Sequence, residues 1–182
     1  MARIARAGRN ITMRPSVFWI PGPWPGRLAI VLRPRGGDWL DDETRAWREA
    51  NIDTVVSLLE PSEEADLDLK SEPMSAAASG VEFRSFPIPD RGIPESREDV
   101  SELVTQIAAA LQVGRNVAVH CRQSIGRSAL IVAATLVAAG EDPETALFTV
   151  SRARGMPVPE TEAQRRWISE FASRIKHLDP DV

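Results

Sequence analysis

From Ser128 to Ala139 the chain reads SALIVAATLVAA, a helix-length run in which only Ser128 and Thr135 are polar. An ordinary surface helix hides one apolar stripe, whereas a helix that is apolar nearly all round has to be covered on every side. The run is too short to span a bilayer. It therefore belongs at the centre of a layered domain.

The rest of the chain supplies the layers. Val17 to Ile20 and Leu28 to Leu32 read as short strands around a turn carrying Pro21, Pro23 and Pro25. Gly36-Gly37 precedes a helix from about Trp39 to Ala50, and Thr54 to Leu59 is an apolar, β-branched run of the buried-strand kind. Glu63 to Ser79 is weakly helical with a break near Pro73, and Glu82 to Phe86 alternates as a strand does. Val100, Leu103, Val104, Ile107 and Leu111 mark one helix face that Gly114 ends. Asn116 to His120 is a short buried strand, Asp142-Pro143 caps a helix closed by Gly155, and a last helix covers about Thr161 to Lys176. Strands alternating with helices predict an α/β fold: a single three-layer domain, a central mostly parallel sheet flanked by helices, over residues 15–178. No internal repeat or second domain is visible.

Composition narrows the setting. One cysteine in 182 residues excludes an intrachain disulfide and suits a reducing compartment or a chemical role for the thiol. No apolar leader segment opens the chain, so a cytoplasmic location is expected, with no membrane span. The net charge is −4, yet no acid precedes Asp38 while Arg3, Arg6, Arg9, Arg14, Arg27, Arg33 and Arg35 do. Residues 1–14 thus read as a basic arm, whether a solvated tail, a lure for an anionic partner or a short targeting peptide.

The chemistry concentrates in Val119-His120-Cys121-Arg122-Gln123-Ser124-Ile125-Gly126-Arg127-Ser128, where a buried strand gives way to the central helix. Ligands of open α/β sheets bind at that carboxyl end of a strand. A loop there can wrap its amides around an anion, and the helix dipole adds to the attraction. Those amides, the dipole and Arg127 all favour the thiolate of Cys121, and they would hold three phosphoryl oxygens equally well. Arg127 can offer a bidentate fork, which lysine cannot. No cluster of His, Cys and carboxylates stands out as a metal site, and no cofactor is required. A leaving alkoxide needs a proton, and Asp90, framed by Pro89 and Pro94 on the loop after another strand, is the candidate acid.

His120-Cys121, five residues, then Arg127-Ser128 resembles the active-site loop of cysteine-based protein tyrosine and dual-specificity phosphatases. Pro87 to Pro94 is similar to the general-acid loop of compact dual-specificity enzymes, especially kinase-associated-phosphatase-like domains. Ala153-Arg154-Gly155 through Glu162-Ala163-Gln164 looks like the later loop that carries a water-orienting glutamine. The resemblance covers about Leu28 to Phe171. It implies a phosphocysteine on Cys121, Asp90 as general acid then base, and phosphoryl binding by Arg122, Gln123, Ser124, Ile125, Gly126 and Arg127. It also implies support from His120, which organises the loop, and Ser128, which donates to the sulfur. Gln164 either orients water or is a solvated helix residue. The expected substrate is a phosphorylated protein or peptide rather than a nucleic acid, and the expected state is a monomer.

One position departs from the pattern. The family usually has glycine where Ser124 stands, and serine lacks glycine's tolerance of left-handed angles. The loop is therefore expected to be reshaped or strained, and Ser124→Gly to relieve it. Two alternatives stay open: a pseudophosphatase that binds phosphorylated partners without turnover, and a phosphatase for inositol phosphates or phosphoinositides. The covalent reading requires a sulfur within reach of solvent and a guanidinium at residue 127 that faces inward.

Overall fold

The computed structural model describes residues 14–178. The expected basic arm lies, Arg14 apart, outside the described residues. The strands are β1 (Val17–Ile20), β2 (Leu28–Val31), β3 (Thr54–Ser57), β4 (Glu82–Ser85) and β5 (Val117–His120). They form one sheet in the order β1-β2-β5-β3-β4, with β1 antiparallel to β2 and the other neighbours parallel. β2, β3 and β5 are buried throughout, as continuous apolar runs in a sheet covered on both faces should be.

The helices are α1 (Leu40–Glu49), α2 (Pro61–Asp66), α3 (Glu72–Ala78), α4 (Arg97–Gln112), α5 (Arg127–Ala138), α6 (Pro143–Arg154) and α7 (Glu162–Leu178). The weakly helical stretch after β3 is two short helices, because Pro73 fits only the first turn of α3 and the chain turns between them. Asp142 caps α6 by accepting the amides of Glu144 and Thr145 at 3.1 and 3.2 Å, and Gly155 ends it at φ 71°. From Arg127 through Val137 every residue of α5 is buried, so the apolar run is indeed the hub of the domain.

Successive side chains of a strand point to opposite faces. Leu28, Ile30, Val56, Val117 and Val119 join the large core with α4 to α7, whereas Ala29, Val31, Val55 and Ala118 pack with Trp47 of α1 and Ala76 of α3. The same period sends the last two residues of the central segment to different layers. Cys121 belongs to the α5 side, and His120 to the α1/α3 side, its ring centroid 6.0 Å from that of Trp47.

Candidate active site

β5 is the middle strand, so the segment that follows it, residues 121–126, lies at the carboxyl edge of the sheet between β2 and β3. The segment curls at once into α5, whose N-cap is Gly126. The amide of Ser124 donates to Cys121 Sγ at 3.2 Å, and Sγ lies 3.6 Å from the hydroxyl oxygen of Ser128 in the first turn. Arg122 and Ile125 are half-buried, Gln123 is exposed at the mouth, and Gly126 is buried. A Cβ on Gly126 would come within 2.9 Å of Gln164 Nε2, so a larger residue there would push the Gln164 amide from its place.

Ser124 does adopt the left-handed conformation, at φ 54°. Its side chain answers part of the cost. The residue is wholly buried, its hydroxyl donates to the Val31 carbonyl at 2.6 Å, and its own carbonyl accepts from Arg154 Nε at 2.9 Å. Arg154 stands behind the loop with its guanidinium 3.9 Å over the Phe18 ring. Burial lowers the Arg154 pKa from its usual value, partly offset by the nearby Cys121.

Arg127 faces inward and is 2% exposed. Its Nη1 and Nη2 meet Glu63 end-on at 2.6 and 2.8 Å, and Nη1 also donates to the Ile88 carbonyl at 3.0 Å. Glu63 is itself fixed by a capping box, in which its carboxylate accepts the Glu60 amide at 3.0 Å and Glu60 accepts the Glu63 amide. Burial alone would raise the Glu63 pKa. The Arg127 hydrogen bond, the Glu60 amide and the charges of Arg127 and Arg122 outweigh it and hold Glu63 below its usual value. For Arg127, burial works to lower the pKa, but the Glu63 bond and the neighbouring Cys121, Glu63 and Asp90 leave it raised. A pair so placed is a fixed cation aimed at the segment that carries the sulfur.

The Pro-rich loop brings Asp90 to the same place: its Oδ1 accepts from Arg127 Nη2 at 2.8 Å, and its amide donates to Glu60 at 3.2 Å. Half of the Asp90 side chain remains exposed. Gln164 is fully buried, which removes the solvated-helix alternative for it. It donates from Nε2 to the Gly92 carbonyl at 2.9 Å and accepts the Thr161 amide at 3.2 Å, so it ties the acid loop to the start of α7. His120 Nε2 lies 2.7 Å from Glu72 Oε1 on the far side of the sheet, where it braces the strand end and cannot meet substrate.

Two expectations need correction. Cys121 is 2% exposed, so its sulfur is not open to solvent in this conformation. The Nη1–Nη2 end of Arg127 is spent on Glu63, so a bidentate contact to a phosphoryl group is left only to its Nε–Nη2 edge. Glu63, Glu60 and Arg154 were not singled out as site residues from sequence; a Glu-x-x-Glu at the start of a helix was the one available signal for the first two. Among the described residues no group of three or more His, Cys, Asp or Glu side chains is placed to hold a metal ion.

A thiol on the loop between a central parallel strand and a buried helix, with an arginine in the first turn and an acid on a neighbouring loop, defines the architecture of a cysteine-based phosphatase domain. A family profile described as "Polymorphic toxin system, DSP-PTPase phosphatase" matches residues 31–141, more than half of the chain, and the chain belongs to that family. Rattus norvegicus cyclin-dependent kinase inhibitor 3 is 28% identical over 98 residues, 53% of this chain and 46% of that protein, so the chain spans just under half of that relative. Among solved structures, a kinase associated phosphatase with its catalytic-site cysteine changed to serine superposes with a TM-score of 0.81 at 18% identity, over 90% of this chain and 97% of that one. Tk-PTP in its active form gives 0.72 at 31% identity, over 89% and 99%. PTPMT1 in complex with PI(5)P gives 0.70 at 21% identity, over 88% and 98%.

Proposed function

We propose that this dual-specificity-phosphatase-type domain hydrolyses phosphomonoesters of proteins through a phosphocysteine on Cys121. The observation that carries the reading is the Ser124 amide on Sγ at 3.2 Å, at the N-terminus of α5 and beside a buried, charge-fixed Arg127. Amides and a helix N-terminus favour a sulfur anion over a neutral thiol. The same donors suit the equatorial oxygens of a transferring phosphoryl group.

The guanidinium geometry supports an order of events. Glu63 takes the Nη1–Nη2 end, which leaves the Nε–Nη2 edge, and Asp90 sits on the Nη2 of that edge. An arriving phosphoryl group takes the edge bidentately and displaces the Asp90 carboxylate. Cys121 is 2% exposed, so substrate has to gain access to the sulfur, and in this reading the loop of residues 87–94, whose Asp90 contacts Arg127, opens for substrate and closes again over it. The Cys121 thiolate then attacks phosphorus, the P–O ester bond breaks, and protonated Asp90 gives its proton to the leaving oxygen. In the second step a water attacks phosphorus and gives its proton to the Asp90 carboxylate. The S–P bond breaks, Ser128 donates to the departing sulfur, and phosphate leaves. This reading assigns the orienting of that water to Gln164, which packs against Gly126 and bonds to the acid loop.

A second reading, a module that binds phosphorylated partners without turnover, is favoured by the buried sulfur and the engaged Arg127. Incubation with p-nitrophenyl phosphate separates the two. The enzyme reading expects p-nitrophenol release by the intact chain and none by Cys121→Ser; an inert chain that still binds phosphopeptides would establish the module. The PI(5)P of the PTPMT1 complex raises a phosphoinositide as substrate, and assays of phosphopeptides beside phosphoinositides rank the two classes.

A further inference from the structure

Next to the acid loop runs an open groove of about 810 Å³ that none of residues 121–127 lines. Glu60, Pro89 and Pro94 line it, so it begins where the loop bearing Asp90 is anchored. One wall is the end of β4, the terminal strand of the sheet, and the other is the first turns of α4. Phe86, Pro94 and Leu103 give it a buried or half-buried apolar part beside the half-buried Glu60, Arg84 and Ser96, while Glu95, Asp99 and Glu102 are exposed along it.

We infer that this groove docks a basic segment of the phosphorylated protein, placing Arg or Lys residues near the phosphorylated residue along the acidic wall. The inference rests on the phosphatase reading above and names its substrate class. The charge balance commits to a cation. Four carboxylates line the groove against one cation, Arg84, which is already engaged by Glu82 at 2.7 Å and by the side-chain oxygen of Gln106. The N-terminus of α4, worth about half a positive charge, opposes a bound cation, but Glu95, Glu98 and Asp99 around it exceed that. The cradle beside it has the reverse sign: Arg122, Arg127 and Arg154 stand against Glu63 and Asp90, and the N-terminus of α5 adds to the positive side. A substrate that is anionic at one residue and cationic a few residues away matches both. A polyphosphorylated inositol headgroup matches only the first. An extended peptide also suits a trough walled by β4, the terminal strand of the sheet among the described residues, with Phe86 and Leu103 as apolar contacts.

The test separates docking from chemistry. A fluorescein-labelled, unphosphorylated Arg-rich peptide is titrated with the intact chain and followed by anisotropy, with an acidic peptide of equal length as control. The double reversal Glu95→Lys/Glu102→Lys should weaken binding of the basic peptide about tenfold or more. Asp38→Lys/Glu49→Lys makes the same change in net charge on exposed residues across the sheet and should leave binding within about twofold. Equal loss in both double variants, or equal affinity for the two peptides, overturns the docking site. p-Nitrophenyl phosphate, too small to span cradle and groove, reports the chemistry separately, and both double variants should turn it over at the unmodified rate. A chain that binds the basic peptide in the groove yet releases no p-nitrophenol sinks the phosphatase reading and leaves the groove standing. Phosphopeptides with basic flanks should show a higher kcat/KM than neutral-flanked ones, and the advantage should shrink with added salt.

Discussion

Replacing Glu63 by glutamine tests whether Arg127 is held by charge or merely packed. Oε2 of Glu63 receives Arg127 Nη1 at 2.6 Å and the Glu60 amide at 3.0 Å, and Oε1 receives Nη2 at 2.8 Å. Glutamine keeps one oxygen, which can retain the Oε2 pair of bonds. Its amide nitrogen then faces Nη2, donor against donor. One charge-assisted bond is lost outright, at about 1.5–3 kcal/mol, and the bonds that survive fall to neutral strength. The two side chains are 2% and 7% exposed, so water does little to make good the loss. About 3 kcal/mol in total is expected, at the low end of the range for breaking a buried pair. For a domain of this size that lowers Tm by about 6–12 °C at pH 7. The sign with pH follows from the depressed pKa of Glu63. Its contribution is fully present above the usual glutamate value and is lost as pH falls through the lower, folded-state value. Thermal unfolding followed by circular dichroism from pH 7 down to pH 4 and below should therefore show the two melting curves converge in acid. A drop of less than about 3 °C at pH 7, or a gap that stays constant into acid, would refute the reasoning.

Substitutions at three further positions probe the cradle and the acid loop. Asp90→Asn should cut kcat by about 10² or more and remove the falling alkaline limb of the pH profile; a limb that persists would assign the proton to another group. The same variant weakens the contact on Arg127 Nη2, so inorganic phosphate should inhibit it more tightly than the unmodified chain, and unchanged inhibition would argue against displacement of Asp90 by phosphate. Ser124→Gly relieves about 1 kcal/mol of left-handed strain and forfeits a hydrogen bond of about the same worth, so its Tm should stay near the starting value. Ser124→Ala keeps the strain and loses the bond, and it should melt about 2–4 °C lower; a Ser124→Ala variant that melts with the unmodified chain would show that the Val31 contact is idle. Gln164→Ala should slow dephosphorylation more than phosphoryl transfer, seen as a sharper pre-steady-state burst of p-nitrophenol, and a uniform slowing of both phases would count against a role with water.

The features legible in sequence are those set by local periodicity and by one motif. The all-apolar run of α5, the β-branched strands, the Asp142-Pro143 start and the Gly155 stop each depend on neighbours within a turn or two, and the structure has them within two residues. The left-handed angle at Ser124 was likewise foreseeable from the position it fills. What pairs across the fold was not. Glu63 and Arg127 are 64 residues apart and Arg154 reaches Ser124 across 30, and no spacing rule links them. The Ser124 hydroxyl reads as a defect until Val31, 93 residues earlier, is brought beside it. That contact changes the expected effect of Ser124→Gly from a gain to a near balance. The burial of Cys121 depends on how the segment folds back on itself at the start of α5, with Ser124 and Ser128 against the sulfur, which periodicity does not encode.

The central claim is that the sulfur of Cys121 carries the phosphoryl group. Asp90→Asn, turned over with p-nitrophenyl phosphate, whose leaving group needs little protonation, should accumulate the intermediate because its hydrolysis lacks a base. Rapid acid quench and peptide mass spectrometry should then find one phosphoryl group on the peptide containing Cys121, decaying when substrate is exhausted. Steady turnover with that peptide unmodified throughout, or the phosphoryl group on any other residue, would contradict the account.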